Sequence, residues 1–440
     1  SAAAANRGRR RRRRAVLGAF AVLLLVAVAL AVSTVNARQA EREAEQASTE
    51  RLALQLRASS AEIADNGLPL RALLVRTADR LDATPVSLVE MLATVERQRL
   101  ITARVDAPKG EGFDALWADD EIVAVGAGRG EVDVWPMGDQ GPDRTATRSF
   151  EIEGTPLAIA RRPGTNMLAV GGGDGSPAEG GFAGSHGAAY IVDLSQPSLS
   201  ARALPLTGGS PVSALAFTGG SLLVGRWDGT VAVVAVDEPE TRVQRVLEVG
   251  SSPAGAPAAC RDPARSDDRK VRSIAVDQTG RWLVAGSNNC IVTVWDTGAL
   301  DQPPQVLVGH SDKVRAAAFV PSTTTLLTAG DDRSIRRWDV QEATGPGIVL
   351  TAAADEQRVI ALCVAPDGRS VITAGRDHAV RRWTLEGTTL TLEPLVFAAH
   401  SQTIRAVSCH SSGRFASLGA DGLVMWDLER PPRSGRVVPV

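Results

Sequence analysis

The stretch HSDKVRAAAFVPSTTTLLTAGDDRSIRRWDV, His310 to Val340, decides the fold because its pattern recurs. The same cadence closes at Trp295-Asp296, Trp338-Asp339, Trp383-Thr384 and Trp426-Asp427, with the tryptophans 43, 45 and 43 residues apart. Within each interval, short runs of Val, Ile, Leu and Ala alternate with Gly and Asp, the pattern of brief strands joined by tight turns. A period of that length marks one supersecondary unit stacked against copies of itself.

Seven such units overlay between residues 100 and 440. Their third strands end at VDVWPM (Trp135), AAYIVDL (Val192), VAVVAVD (Val234), VTVWDT (Trp295), IRRWDV (Trp338), VRRWTL (Trp383) and LVMWDL (Trp426). Two intervals are long, and the excess locates insertions at Gly175 to Gly187 and Gly250 to Lys270. The fold class this predicts is all-β, a seven-bladed β-propeller.

The units resemble WD repeats, and the WD-repeat β-propeller family supplies further expectations. In that family a His before the first strand, a Ser or Thr on the second, an Asp in the next turn and the Trp share hydrogen bonds. Those positions fall on His310, Thr328, Asp332 and Trp338 in blade five, and on His400, Ser417, Asp421 and Trp426 in blade seven. Blade six keeps Thr373, Asp377 and Trp383 without a His. Blade four keeps Trp295, with Asn289 in place of Asp, and blade one has Arg129 there. Blades two and three lack the Trp. The network satisfies buried polar groups, and no nucleophile frame accompanies its Asp–His pairs, so no catalytic residue is assigned. Ring closure needs one more strand, either ITARVDA near residue 104 or GRVVPV at the C-terminus, and family practice favours the first.

Upstream, the chain changes character twice. Arg7 and Arg9 to Arg14 form a basic flank within residues 1–14, followed by an uncharged apolar run over residues 15–35. At about 1.5 Å rise per residue such a run spans roughly 30 Å of hydrocarbon, so a transmembrane helix is expected. The arginines then mark the cytoplasmic side, and everything after Asn36 lies outside the cytoplasm. A cleaved signal peptide ending at Val35-Asn36-Ala37 is the rival reading. Residues 36–99 are rich in Ala, Leu, Glu and Arg and read as a helical stalk of three short helices, with a stop at Asn66-Gly67 and Pro85 in the first turn of the third. The span together with STERLALQLRASSAEIADNGLPLRALLVRTADRLDATP resembles the linker of bacterial STAND-type signalling NTPases whose WD repeats follow a membrane span. Membrane-anchored Ser/Thr kinases with WD-repeat ends share the layout. No GxxxxGK[ST], HRD or DFG motif is present, so an engine of either kind would lie upstream of Ser1.

Formal net charge is −2, which argues against a nucleic-acid partner. A protein partner of acidic character is expected on the face that carries the turns between second and third strands. Turn arginines Arg129, Arg226, Arg333 and Arg376 fall on it, with Trp227 as an exposed aromatic. Arg272, Arg315 and Arg405 share one register at the start of the innermost strand, around the channel mouth. Ordinary arginine decoration in an Arg-rich chain is the competing explanation. Cys260 and Cys290 map to the same face of blade four and are disulfide candidates in an oxidising compartment. Cys363 and Cys409 read as buried small apolar residues. No metal-ligand spacing or cofactor motif occurs. The leading reading is a membrane-anchored recognition propeller, sensor or scaffold. The alternatives are a hydrolase-type propeller or the regulatory half of an NTPase or kinase.

Overall fold

A computed structural model describes residues 101–427, apart from 106–111, 119–120, 127–129, 139–140, 144–145, 174–186, 207–208, 238–240, 252–259, 261–268, 343–346, 352–357, 398–399 and 411. The predicted transmembrane helix, the stalk, the segment GRVVPV, Arg129 and nearly all of both insertions lie outside the described residues. Among the described residues no helix is long and apolar enough to cross a membrane.

The described residues are all-β. Their strands form seven antiparallel sheets. In five of them four consecutive segments pair in order: Val212–Thr218 through Arg242–Glu248, Val271–Val276 through Gln305–Val308, Val314–Phe319 through Ile348–Thr351, Val359–Val364 through Thr389–Phe397, and Thr155–Arg161 through Arg202–Ala203. The sheet beginning at Gly112–Ala118 carries two outer strands, Gly141–Pro142 and Arg148–Glu151, both on Glu131–Gly138. The last sheet takes its outer strand from the other end of the chain. Ile101–Val105 pairs antiparallel with Gly422–Asp427, Arg104 opposite Val424. That strand removes the free edge of the last sheet, where unpaired backbone groups would otherwise recruit another chain.

Burial follows from residue choice. The second strands are nearly continuous apolar or small runs, such as Thr325–Gly330 and Ser370–Gly375, buried at every position. A strand covered on both faces needs this pattern rather than alternation. Among the described residues the large apolar clusters are each shared by two neighbouring sheets. One joins Ala329 and Ile335 to Leu362 and Trp383, and another joins Ala115 and Trp135 of the first sheet to Ala416 and Met425 of the last. The innermost strands likewise neighbour one another in a closed circuit. Each sheet alone would leave both faces wet, so stability comes from stacking. Polar stitches add to it: Arg162 forks onto Asp237 across one boundary, Ser213 Oγ donates to the Val271 carbonyl at 2.6 Å across the next, and Arg245 meets Asp301. The architecture is a β-propeller.

Candidate functional site: a blade network and a ring mouth

The polar network begins with a turn. After the second strand, Asp331-Asp332-Arg333-Ser334 reverses the chain, and Asp332 accepts from the Ser334 N–H at 3.1 Å and its hydroxyl at 2.9 Å. His310 Nδ1 meets the other Asp332 oxygen at 2.8 Å. His310 Nε2 meets Thr328 Oγ1 at 2.8 Å, and Trp338 Nε1 donates to that same hydroxyl at 2.8 Å. Blade seven repeats the arrangement with His400, Asp421, Ser417 and Trp426 at 2.7 to 2.9 Å. In blade six Trp383 Nε1 donates to Thr373 at 2.8 Å. With no His there, Arg381 supplies the cation, 2.5 Å from Asp377. Blade four substitutes an amide: Asn289 donates to the Gly250 carbonyl at 2.9 Å and meets Ser287 Oγ at 2.5 Å, while Trp295 stays buried in the apolar cluster.

Burial works against ionisation of Asp332, but the hydrogen bond and charge of His310, with the N–H groups of Ser334 and Ser311, outweigh it and hold the carboxyl at about 2. Asp421 is held well below its ordinary value in the same way: burial opposes ionisation, and His400 and the Ser401 N–H prevail.

Asp421, His400 and Ser417 are bonded in the order of a nucleophilic triad. Ser417 is 0% exposed and its oxygen already takes the Trp426 N–H, so no substrate carbonyl reaches it. The arrangement is architectural.

The mouth rests on a second repeated device. In all seven sheets the pairing of inner and second strands slips by one residue at the same place. The extra residues are Phe113, Leu157, Ser213, Arg272, Arg315, Ile360 and Arg405. A β-bulge re-aims a side chain away from the ladder, and from this register Arg272 and Arg315 reach residues of the second-to-third turns of their own sheets. Arg315 lies flat against Asp331, Nε to Oδ1 and Nη2 to Oδ2 both at 2.8 Å, and Arg358 of the following sheet reaches the same carboxylate at 3.3 Å. Arg272 Nε donates to Asn288 Oδ1 at 2.8 Å. Lys270 Nζ sits 3.6 Å from the centroid of Trp227, with the Arg272 guanidinium at 5.8 Å.

The structure thus sorts the residues expected on this face. Arg333 and Arg376 are exposed and Arg405 is half-buried. Arg226 is corrected: it is 4% exposed, and burial lowers its pKa. Trp227 is corrected too, being half-buried beneath Lys270. Arg272 and Arg315 are at the mouth but committed to turn side chains. Lys270, Arg358 and Asp331 were missed. Their signal was register, since Lys270 and Arg358 each directly precede an inner strand.

Cys260 and Cys290 form a disulfide, Cα atoms 5.4 Å apart. The apolar reading of Cys363 and Cys409 is overturned. They are half-buried and joined, Cα atoms 5.9 Å apart, across neighbouring inner strands. Their separation of 46 residues is one more than the 45 between the bulge residues Ile360 and Arg405, so they lie side by side on the inner strands of two consecutive sheets.

Repeated blades, the His–Asp–hydroxyl–Trp network and the closing strand define a WD-repeat β-propeller. Comparison with known proteins agrees. Residues 263–296, 301–339 and 348–384 match the family described as "WD domain, G-beta repeat", so the chain carries WD40 repeats. Denticleless protein homolog of Gallus gallus is 35% identical over 68 residues, 15% of this chain and 9% of that protein. Pre-mRNA-splicing factor PRP46 of Candida albicans is 29% identical over 102 residues, 23% of this chain and 26% of that protein. The chain therefore spans about a quarter or less of the length of these curated relatives. In fold it is similar to the WD40 beta propeller domain of Doa1, at TM-score 0.58 and 20% identity over 75% of this chain and 97% of that one. It is likewise similar to a chain of the Mitotic Checkpoint Complex, at TM-score 0.59 and 17% identity over 74% and 91%.

Proposed function

We propose that this chain is a seven-bladed recognition propeller, tethered to a membrane by residues 15–35, whose ring mouth binds a protein partner. The observation that carries the reading is the bulge that recurs at one register of every inner strand, from which Arg272 and Arg315 reach turn side chains. Four of those positions hold Arg or Ser, and three hold Phe, Leu or Ile. The three arginines are of the type that interface hot spots favour. The cationic sector, from Lys270 round to Arg405, favours an acidic partner.

Two disulfides among four cysteines support a location outside the cytoplasm, where such bonds persist. That fits the basic flank on the cytoplasmic side of the apolar run. On this reading the propeller is the ligand-binding arm of a bacterial signalling protein of the STAND NTPase layout, with any catalytic domain upstream of Ser1.

The test is affinity capture with the full chain. Wild type is compared with a mouth variant (Arg376→Glu with Arg405→Glu) and an opposite-face variant (Arg281→Glu). A partner lost with the mouth variant and kept with the other supports the reading. Equal capture by both sinks it. Protease digestion of intact cells checks the topology, with cleavage expected only on the outer side.

A further inference from the structure

The two disulfides differ in exposure and in reach. Cys260 and Cys290 are each 2% exposed, and their bond ties the insertion before blade four to a turn of that same blade. Cys363 and Cys409 are half-buried, and their bond joins the inner strands of two different sheets, Val359–Val364 and Ile404–Cys409. Both lie near the end of their strand that is away from the bulge, so the bond sits toward the face opposite the mouth.

This second bond also ends on a row that crosses blade seven. Cys409 pairs opposite Phe415, Phe415 opposite Trp426, and Trp426 opposite Ile101 of the closing strand. The Phe415 and Trp426 rings are stacked, with centroids 5.5 Å apart. Both rings, with Ile372 of blade six, belong to the apolar cluster against which Cys363 and Cys409 pack. The sheet is drawn from both ends of the described chain. One end of the row is therefore covalently tied to blade six, and the other is a strand held by pairing.

We propose that Cys363–Cys409 is a reducible clasp: a dithiol opens it by thiol–disulfide exchange, and its opening loosens the closing strand. A thiolate of the dithiol attacks one sulfur, and the other leaves as a thiolate that takes up a proton. The second thiol, giving up its own proton, displaces the bound cysteine, and the dithiol departs as a cyclic disulfide. Two electrons and two protons pass to the protein. Access selects the bond, since exchange needs the attacking sulfur to reach it, and Cys260 and Cys290 are shielded. Without the tie, packing and the chain connection alone hold blade seven to blade six. The closing strand can then leave without unfolding the other three strands, because it comes from the opposite end of the chain. The clasp is independent of which partner the mouth takes.

The experiment treats the full chain with dithiothreitol under native conditions, traps free thiols with iodoacetamide and maps them by peptide mass. Cys363 and Cys409 are expected to be trapped at least tenfold faster than Cys260 and Cys290. Hydrogen exchange of the selectively reduced, unalkylated protein then reads the seam. Amides of Ile101–Val105 and Gly422–Asp427 are expected to exchange at least tenfold faster than in the oxidised protein. A Cys363→Ser, Cys409→Ser variant is expected to show the same acceleration without reductant, and a Cys260→Ser, Cys290→Ser variant is not. Should the first variant fail to fold, selectively reduced wild type answers alone. Reduction of Cys260–Cys290 first, or of both bonds together, overturns the clasp, as does a bond that resists dithiothreitol until the protein unfolds. Selective reduction with unchanged exchange along the seam also overturns it. Four free thiols in unreduced, denatured protein overturn the pairing itself.

Discussion

Blades three and five have the same four strands in the same order, yet only blade five carries the full polar network. Val234 pairs opposite Leu222 where Trp338 pairs opposite Leu326. Both Val234 and Trp338 are buried in inter-sheet clusters. Asp228 repeats the turn half of the network, accepting from Thr230 N–H at 3.0 Å and its hydroxyl at 2.6 Å. The other half in blade five, His310–Thr328–Trp338, ties the turn to the loop before the inner strand. A blade therefore needs apolar packing and a closed turn to form. The network is an addition whose members are mutually dependent once buried, since each leaves the others unsatisfied if removed.

The sharpest way to break this comparison is Asp332→Ala against Asp228→Ala. Asp332 accepts from His310, Ser311 N–H and Ser334, and its side chain is 4% exposed. Its loss strands a buried imidazole and costs about 3 kcal/mol. Asp228 is exposed and loses local turn bonds together with its charge near the buried Arg226, a smaller cost of about 1 kcal/mol. Urea unfolding of both variants measures the gap, and equal losses would show that the turn, not the network, carries blade five.

Thr328→Val follows in size. It keeps the shape but removes the hydroxyl shared by Trp338 Nε1 and His310 Nε2, for about 2 kcal/mol. Blade four already has Ala285 at the matching position on its second strand, so Trp295 there is held by packing. A midpoint for Thr328→Val indistinguishable from wild type would mean that packing suffices in blade five also.

Acid titration sharpens the same contrast. Asp332 is held at about 2 against an ordinary 3.8, so its folded pKa lies below its unfolded one. That stabilisation, about 2 kcal/mol, is fully present above pH ~4 and is lost as pH falls through about 2. Asp421 adds a loss of the same sign. Asp114 runs oppositely. Burial raises it to about 7 despite the N–H groups of Ile159 and Ala115, so its contribution is present below pH ~4 and declines as pH rises to about 7. Stability should therefore peak between these windows. Asp332→Ala should flatten the acid limb and leave the limb between pH 4 and 7 unchanged.

Legibility in the sequence divides along the same line. The tryptophan cadence disclosed the propeller, since Trp295, Trp338, Trp383 and Trp426 mark equivalent strands at nearly constant spacing. The partners of single side chains depended on which blades become neighbours. Arg315 reads as free rim charge in the string RAAAF, because nothing there shows that the bulge lays it on Asp331. Cys363 and Cys409 sit in apolar runs, and only ring adjacency makes them a pair. Arg226 is the last residue of the buried strand Ser221–Arg226, and the sequence does not show that the strand's burial extends to this charged end.

The smallest expected effect concerns the turn itself. Arg333, His378 and Cys290 occupy the left-handed backbone region at φ 64°, 66° and 65°, while the corresponding turns of blades one and three use Gly130 and Gly229 at 86° and 85°. A left-handed non-glycine residue costs about 1 to 2 kcal/mol. Glycine loses more chain entropy on folding, about 0.5 to 1 kcal/mol. Arg333→Gly should therefore stabilise by about 0.5 kcal/mol, read as a rise in the unfolding midpoint. Because Arg333 is exposed at the mouth, the same variant also asks whether the strained position is kept for its side chain. Higher stability with weaker partner capture would assign Arg333 to recognition, and higher stability with undiminished capture would leave it as turn chemistry alone.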